Sequence, residues 1–307
     1  MIPDSLEATV QAFKIAYDGK MFTGSARQPE HRTVEGTLIE ALKTLGAMDP
    51  KGEETFRSAS RTDRGVSALG NVVVFDSKMK ASDVVKAMNG TYAQEGLWFM
   101  GWATVPEDFK PRHAKVRWYR YVLPVQALLR IDLAAMRKAA KLFVGSHDFG
   151  SFCKDDKSLA TPRSTVRSLE SLEVDTFALA LGPAEDIEKG KWTGHRALHP
   201  GRLDLIVVDI KGQSFLWQMV RRTVSAMVSV AKGKSSLEDI KDALDGTPHD
   251  FGVLPSEGLT LMDVQYDLEF TAAEGTDHLR EALETEVLWD LARDMVFHQH
   301  LQKRLLR

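Results

Sequence analysis

A carboxylate stands between two guanidinium groups in one short stretch of the chain. The segment Arg61-Thr62-Asp63-Arg64-Gly65 lies directly before Val72 to Phe75, whose β-branched and aromatic residues predict a buried strand. Since nearby positive charges favour the ionised form of a carboxyl, we expect Asp63 to be charged. It is then suited to act as a nucleophile. An Asp-containing turn followed by Gly is also ordinary loop chemistry, so the segment alone leaves a purely structural role open.

A second basic stretch contains aromatic rings. Residues 110–120 hold five Lys or Arg side chains and no acid. Basic groups suit a phosphate backbone, and aromatic faces suit unstacked bases. Alternation from Val116 to Leu123 predicts a strand with Arg117 and Tyr119 on one face, which places a stacking ring beside a phosphate ligand. We expect Trp118, on the other face, to lie in the core.

Two arginines follow an apolar run farther along the chain. The residues from Phe215 to Val220 lead into Arg221 and Arg222, at the predicted start of a long helix that ends at Gly233. An arginine in such surroundings either extends its charged end to water, which is the commoner case, or pairs with a buried acid. Either arginine would stand at the margin of the apolar stripe and reach a cleft.

The sequence lacks the usual patterns that hold a metal or a nucleotide cofactor. The nine histidines form no HExxH motif, and Cys153 is the only cysteine. We therefore predict no metal site and no intrachain disulfide, which suits the cytosol. Since neither a G-x-G-x-x-G loop nor a G-x-x-x-x-G-K loop occurs, we do not expect the common nucleotide cofactors.

Composition sets the broad class. The chain has 307 residues, 43% of them hydrophobic, and a formal net charge of -3. This charge argues against a surface that coats nucleic acid broadly, but it allows a local basic groove. No apolar run approaches membrane-spanning length, and the start, MIPDSLEATVQ, lacks the basic and apolar regions of a secretory signal. We therefore expect a cytoplasmic protein with no membrane partner.

Hydrophobic periodicity predicts the same order of elements twice, βαββαβ. The first half contains a strand with Phe13, Ile15 and Tyr17, a helix capped by Thr33, strands from Glu54 to Ser60 and from Asn71 to Asp76, a helix capped by Ser82 and ended by Asn89-Gly90, and a strand from Leu97 to Ala103. The second half contains a strand from Val116 to Leu123, a helix capped by Asp132, strands at Arg167 to Val174 and Leu203 to Ile210, the helix before Gly233, a helix from Leu237 to Leu244 with a capping box of Ser235 and Glu238, and a strand from Leu259 to Tyr266.

These elements predict an α/β (α+β) fold of two βαββαβ units, ferredoxin- or RRM-like, with mainly antiparallel sheets joined around a central cleft. We place the N-terminal unit, which carries the Asp63 loop, at residues 1–108 and the second unit at residues 109–272. Residues 273–307 form a C-terminal extension, in which an apolar stripe predicts a long helix from Thr276 to Arg307. A connection containing Gly and Pro, residues 181–201, separates two strands of the second unit.

The Asp63 stretch resembles the signature of the TruA-type tRNA pseudouridine synthase family, Arg-Thr-Asp-x-Gly-Val-x-Ala. The residues from Arg61 to Ala68 match it at every fixed position. Further matches fall in the family's order and are Tyr17-Asp18-Gly19, Arg117 to Tyr121, Phe149 to Phe152, Met219-Val220-Arg221 and Glu257 to Leu261. Gly24-Ser25-Ala26 replaces the Gly-Trp-Gln that is common in bacterial relatives, and Arg64 and Ser67 replace the Ala and His often found beside the aspartate. The chain is thus most similar to the archaeal branch.

The resemblance implies a role for each matching residue. Asp63 would be the catalytic carboxylate, Arg61 would fill the space left by a flipped base, and Tyr119 would stack on the target uracil. Arg221 would pair with Asp63, and Leu261 would form an apolar wall of the pocket. The hydroxyl of Tyr119 would also be able to take the C5 proton of the uracil.

The resemblance also implies a substrate and a mode of assembly. It implies isomerisation of uridine to pseudouridine in the anticodon stem-loop of tRNA, at positions 38–40, by a homodimer that needs no cofactor. We expect RNA to contact a set of basic residues, namely Arg64, Lys110, Arg112, Lys115, Arg117 and Arg222. Two alternatives stay open at this point. One is a non-catalytic RRM-like RNA-binding protein, although no RNP1 string is present, and the other is a glycoside hydrolase that uses Asp63 and Asp18 as its carboxylate pair.

Overall fold

The computed structural model describes residues 10–128, 130–154, 164–180 and 202–274. The strands in these ranges are β1 (Val10–Tyr17), β2 (Arg57–Ser58), β3 (Ser67–Phe75), β4 (Leu97–Val105), β5 (Val116–Pro124), β6 (Gly145–Asp148), β7 (Val166–Ala180), β8 (Arg202–Gly212), β9 (Leu259–Gln265) and β10 (Thr271–Ala272). The α-helices are α1 (Val34–Thr44), α2 (Ala81–Tyr92), α3 (Val125–Leu128), α4 (Leu133–Leu142), α5 (Met219–Ala231) and α6 (Leu237–Leu244).

All these strands join one sheet with the order β10-β4-β1-β3-β9-β5-β8-β7-β6, and β2 pairs with β3. Within each half, the four strands of the βαββαβ unit take the same spatial order, which is β4-β1-β3-β2 in the first half and β9-β5-β8-β7 in the second. The prediction of two such units is confirmed. They meet where β3 pairs with β9 in parallel, through Ser67 with Thr260 and Ala68 with Leu261.

Aromatic packing holds the strands of the first half together. Phe13 of β1 stacks on Phe75 of β3 with ring centroids 4.9 Å apart, and it meets Phe99 of β4 edge-on at 5.4 Å. All three rings are fully buried, and burying a side chain of this size stabilises the fold by about 1.5–3 kcal/mol. The predicted cap of α1 is confirmed, since the Thr33 side chain accepts a hydrogen bond from Gly36 N at 3.2 Å. The cluster of Phe13, Phe75 and Phe99 fixes β3, the strand that follows the Asp63 loop.

The ends of α2 differ from the prediction. The helix begins at Ala81, and Lys80, not Ser82, is its N-cap. It also continues past Asn89-Gly90 to Tyr92, because the Asn89 side chain binds the backbone of β4 and does not cap the helix end. Asn89 Nδ2 donates to Phe99 O at 2.9 Å, and Phe99 N donates to Asn89 Oδ1 at 2.8 Å, so this residue ties the helix to β4 instead of ending it.

Other element boundaries also move. β2 covers only Arg57–Ser58, because a 3₁₀ turn occupies Gly52–Thr55, and β3 begins at Ser67, earlier than predicted. The helix before Gly233 begins only at Met219, because Gln218 has a left-handed φ of 62°. Helix α6 spans the predicted residues, but its capping box consists of Ser236 and Asp239, one residue later than expected. The strands β7 and β8 are longer than predicted, and β6 was not predicted.

Part of the predicted organisation lies outside the described residues. This holds for the C-terminal helix from Thr276 to Arg307 and for the connection at residues 181–201. The division into units at 1–108 and 109–272 with an extension at 273–307 stays a prediction. None of the helices in the four described ranges combines the length and hydropathy that crossing a bilayer requires.

Candidate active site

The parallel pairing of β3 with β9 brings two loops together, since parallel neighbours start at the same edge of a sheet. Asp63 lies in the loop before β3, and residues 254–257 lie in the loop before β9. Gly65 has a φ of 83°, and a Cβ atom at this position would lie 2.9 Å from Ser256 Oγ. Glycine therefore permits both the left-handed backbone and the close approach of the two loops.

Buried side chains hold the backbone beside Asp63. Thr62 N donates to Ser25 Oγ at 2.7 Å, and Ser25 N donates to Thr62 O at 3.0 Å. The Thr62 hydroxyl also shares a 2.8 Å hydrogen bond with the hydroxyl of Tyr17. Burial raises the pKa of Tyr17 far above its ordinary value, so this phenol stays neutral. These bonds fix the position from which Asp63 projects.

Each oxygen of the Asp63 carboxylate accepts one hydrogen bond. Arg221 Nη1 donates to Oδ2 at 3.2 Å, and Trp217 Nε1 donates to Oδ1 at 3.0 Å. Arg221 is itself anchored, because its Nε donates to Leu254 O at 2.7 Å. The Asp63 side chain is 32% exposed and that of Arg221 is 13% exposed, so the pair is partly withdrawn from water. Removing a charged partner at such depth costs about 1–3 kcal/mol.

The carboxylate opens onto a cavity of about 520 Å³. This volume lies within the range of small-molecule sites and has room for a nucleobase. The cavity is lined by Gly19, Lys20, Phe22, Asp63, Arg64, Gly65, Trp217, Gln218, Arg221, Ser256 and Glu257. Asp18, the second carboxylate of the glycoside hydrolase alternative, does not line it. The Asp18 carboxylate instead accepts a hydrogen bond from Lys20 N at 3.0 Å and caps a 3₁₀ turn.

Tyr119 lies beneath the site on β5. It is buried, pairs in register with Leu261, and meets Phe215 edge-on with ring centroids 5.0 Å apart. Burial raises the pKa of Tyr119, and the nearby Asp63 charge adds to the rise, whereas Arg117 and Ser60 oppose it. The phenol is therefore neutral near pH 7. The ring does not line the cavity in this conformation, so stacking on a base requires the ring to become more exposed.

The two remaining residues singled out with Asp63 differ in exposure. Leu261 is fully buried on β9, between Tyr119 of β5 and Ala68 of β3. Arg61 is exposed, and its side chain has no hydrogen bond or ion pair within the described ranges. Neither residue lines the cavity directly. The structure thus places Asp63, Arg221 and Arg64 at the cavity, with Tyr119 and Leu261 behind it.

The structure contradicts the predicted contact between Arg117 and RNA. Its side chain is buried, with Nε donating to Ser60 Oγ at 2.9 Å and Nη2 donating to Ala59 O at 2.9 Å and to Arg112 O at 2.8 Å. Nη1 donates to Gln213 O. With these four bonds made inside the protein, Arg117 is not placed to bind a phosphate. It connects β5 to the backbone that leads to Asp63.

The other predicted RNA contacts lie at separate places. Arg64 is exposed at the cavity, and Lys110 and Arg112 are exposed in the connection between β4 and β5. Lys115 is exposed and pairs with Asp267. Arg222 lines a second cavity of about 520 Å³, where its Nη1 donates to Asp250 Oδ1 at 3.2 Å. Of these residues, only Arg64 lines the cavity beside Asp63.

Trp118 is not a core residue, contrary to the prediction. It lies half-buried on the face of β5 opposite Tyr119, and its Nε1 donates to Asp209 Oδ1 at 2.7 Å. Arg120 and Lys211 lie over its ring at 5.4 and 5.2 Å from the centroid. A ring with a polar N–H is well suited to such a half-buried position, since the N–H can reach a surface carboxylate.

Several residues at the site were missed by reasoning from the sequence. Trp217 binds Asp63 directly, and Ser25 anchors Thr62. Ser60 receives Arg117 behind the loop. The available signal for Trp217 was its place four residues before Arg221, a spacing that puts two side chains on the same face of the predicted helix. Within the described residues, no three His, Cys, Asp or Glu side chains lie together as metal ligands would.

Comparison with known proteins places this geometry in a family. The family model described as tRNA pseudouridine synthase matches residues 139–267. The tRNA pseudouridine synthase A of Pyrococcus abyssi is 39% identical over 264 residues, which cover 84% of this chain and 86% of that protein. That of Pyrococcus furiosus is 37% identical over 260 residues, covering 83% of each chain. That of Pyrococcus horikoshii is 34% identical over 297 residues, covering 92% of this chain and 98% of that protein.

Among solved structures, a chain from a crystal structure of a Cbf5-Nop10-Gar1 complex aligns with a TM-score of 0.29 and 12% identity, covering 71% of this chain and 45% of that one. A likeness this weak carries no argument. The sequence relatives do, because the similarity extends over most of both chains and agrees with the predicted archaeal-like branch. The chain therefore belongs to the tRNA pseudouridine synthase family and is a pseudouridine synthase, an isomerase.

Proposed function

We propose that the chain converts uridine to pseudouridine in the anticodon stem-loop of tRNA, at positions 38–40, with Asp63 as the nucleophile. The observation that carries this proposal is the Asp63 carboxylate, held by Trp217 and Arg221 at the wall of a cavity of about 520 Å³. Both donors leave lone pairs of the carboxylate free for attack. The names of the relatives support tRNA as the substrate.

The reaction balances within one nucleotide. The N1–C1′ bond breaks, the uracil turns, and a C5–C1′ bond forms, while C5 loses a proton and N1 gains one. No electron is gained or lost overall, so the step needs no oxidant or reductant. Asp63 attacks either C1′ or C6 and is released when the new bond is complete. Arg221 holds the carboxylate in place throughout and offsets its charge.

The target base has to leave the stacked RNA before it reaches Asp63. Unstacking and unpairing cost about a few kcal/mol. Arg61 is exposed and has no partner within the described residues, so its guanidinium is available to fill the vacated space. Tyr119 supports the site from below, and stacking on the uracil follows if the ring swings toward the cavity. Because burial raises the pKa of Tyr119, its hydroxyl keeps its proton. The hydroxyl therefore takes the C5 proton of the uracil only if it transfers its own proton to another group.

Several exposed basic residues are suited to hold the RNA backbone. Lys20 and Arg64 line the cavity, and Lys110 and Arg112 lie in the connection between β4 and β5. Their positions support phosphate contacts that position the stem-loop without reading its sequence. We further propose that the protein works as a homodimer in the cytoplasm.

Tritium release from tRNA labelled at C5 of uridine tests the reaction. We expect release with the wild-type chain and none above background with Asp63→Asn. Three tRNA substrates, each keeping uridine at only one of positions 38, 39 and 40, test the site. Release from a tRNA that has no uridine at these three positions would contradict the proposed positions but not the chemistry. Full activity of Asp63→Asn would overturn the role of Asp63.

A further inference from the structure

Trp217 is the second donor to the Asp63 carboxylate. Its indole Nε1 lies 3.0 Å from Oδ1, whereas Arg221 binds Oδ2. The ring is 43% exposed, which is unusual for a side chain of this size. If the indole only filled space, burying it would stabilise the folded protein more than leaving it exposed. The exposed position therefore calls for another explanation.

The chain fixes this ring at three points. Gln218 adopts a left-handed φ of 62°, so Trp217 lies outside α5 and faces Asp63. Lys154 N donates to Trp217 O at 2.9 Å, and Lys154 Nζ lies 4.3 Å from the ring centroid. The third point is the bond to Asp63 itself. Backbone, cation–π contact and hydrogen bond together hold the indole N–H in one direction.

A carboxylate bound through one oxygen turns freely about its last side-chain bond, because this rotation has a broad and shallow energy profile. A second donor on the other oxygen fixes the plane of the group. The free lone pairs of Asp63 then keep one direction toward the cavity. Since the indole is neutral, it orients the carboxylate without adding a second positive charge that would weaken it as a nucleophile.

We propose that Trp217 is a positioning residue, which orients the Asp63 carboxylate for attack through its indole N–H. This inference rests on the proposed nucleophilic role of Asp63. It assigns to Trp217 a function in the rate of the reaction and not in the binding of tRNA. Lys154 supports the same function by holding the ring.

The test replaces Trp217 by β-(3-benzothienyl)alanine, which keeps the shape of the ring and has sulfur in place of the N–H. Trp217→Phe is the genetically encoded version. We expect the single-turnover rate of pseudouridine formation to fall by roughly tenfold to a hundredfold, as for loss of a hydrogen bond to a charged group. The Kd for tRNA should change less than about twofold, because the ring remains.

A matched control is Trp98→Phe. The indole N–H of Trp98 is buried and has no hydrogen-bond partner within the described residues, so removing it should leave the rate unchanged. An unchanged rate for the benzothienyl variant, or a loss confined to tRNA affinity, would overturn the positioning role. Asp63→Asn, measured in parallel, distinguishes a failure of the proposed function from a failure of the inference on Trp217. If that variant is active, the proposed function fails, and if it is inactive while the Trp217 variants are normal, only this inference fails.

Discussion

Two cavities of about 520 Å³ each are lined by consecutive arginines of α5, yet only one has the features of an active site. Arg221 binds Asp63 and Arg222 binds Asp250, in both cases with 3.2 Å between Nη1 and a carboxylate oxygen. The exposure of the acid differs, at 32% for Asp63 and 81% for Asp250. Volume and charge pairing are therefore shared features, and they do not identify the reactive site.

The surroundings of the two acids explain the difference. Asp63 follows a segment bound by Ser25, and a second donor, Trp217, binds its other oxygen. In the second cavity, Asp250 Oδ1 accepts Gly252 N at 2.9 Å, which is a local bond within its own turn. An exposed surface ion pair of this kind is worth about 0–1 kcal/mol and is screened by salt. Partial burial and donors from distant segments fix Asp63, whereas Asp250 stays close to solvent.

The sharpest test of this comparison exchanges each acid for its amide. We expect Asp63→Asn to lower the rate of tritium release by at least about 10³-fold, because an amide cannot serve as the nucleophile. Asp250→Asn should stay within about twofold of the wild type, since it breaks only a surface pair. Equal effects of the two substitutions on the rate would contradict the conclusion that Asp63, and not Asp250, is the reactive acid.

Two aromatic residues, Tyr119 behind the first cavity and His249 in the wall of the second, give the next test. We expect Tyr119→Phe to bind tRNA normally but to lose about 10²-fold in turnover, because the hydroxyl is removed while the ring stays. His249, stacked on Phe251 at 4.0 Å beside the second cavity, is the control, and His249→Ala should leave turnover unchanged. Filter binding and single-turnover rates distinguish the two effects. Weakened binding with normal turnover of bound RNA would contradict the role of Tyr119.

The pH profile offers an independent check on Tyr119. Burial raises the pKa of Tyr119 above its ordinary value near 10, so the neutral phenol persists to higher pH than in an exposed tyrosine. Turnover that needs the neutral phenol should therefore show no decline centred at or below about pH 10 through this group. A decline centred there that disappears in Tyr119→Phe would be inconsistent with a raised pKa.

The arginines can be compared by conservative replacement. Arg221 binds Leu254 O and Asp63 at the same time, which a lysine cannot reproduce with one ammonium group. We expect Arg221→Lys to lower turnover by about tenfold to a hundredfold, through misplacement of Asp63. Arg222→Lys should lower turnover less than about threefold. The comparison is made at saturating tRNA, so that any loss of phosphate contacts appears in KM and not in turnover.

The smallest effect concerns the anchoring serines. Ser25 is buried and receives Thr62 N, so Ser25→Ala leaves a buried N–H without its partner and should destabilise the fold by about 1–3 kcal/mol. Ser151 plays a similar part beside the second cavity, where its hydroxyl accepts His249 N at 3.0 Å near the surface. Ser151→Ala should cost less than about 1 kcal/mol, because water can replace the bond. Urea unfolding of the two variants measures the difference.

Local patterns in the sequence predicted much of the fold correctly. The alternation along β5 correctly separated Arg117 and Tyr119 from Trp118, although the buried face is that of Tyr119 and not that of Trp118 as expected. The polar cap at Thr33 started α1, and α6 had its predicted bounds. These features depend on residues only a few positions apart in the sequence. Hydrophobic periodicity and helix-capping patterns operate over the same short distance. Errors occurred where a side chain served a distant partner, as at Asn89, whose amide binds the backbone of Phe99.

The family and the candidate nucleophile follow from the sequence itself, because the segment from Arg61 to Ala68 and its companion motifs are contiguous strings. The partners of Asp63 are a different matter. Trp217 and Arg221 lie more than 150 residues away along the chain, at separations of 154 and 158. The parallel pairing of β3 with β9 joins the two halves of the sheet, and the left-handed Gln218 turns Trp217 toward Asp63. The resemblance implied the pairing of Arg221 with Asp63, but only the tertiary structure decided the contact of Trp217, since hydrogen bonds between distant segments depend on how whole strands pair and not on local spacing.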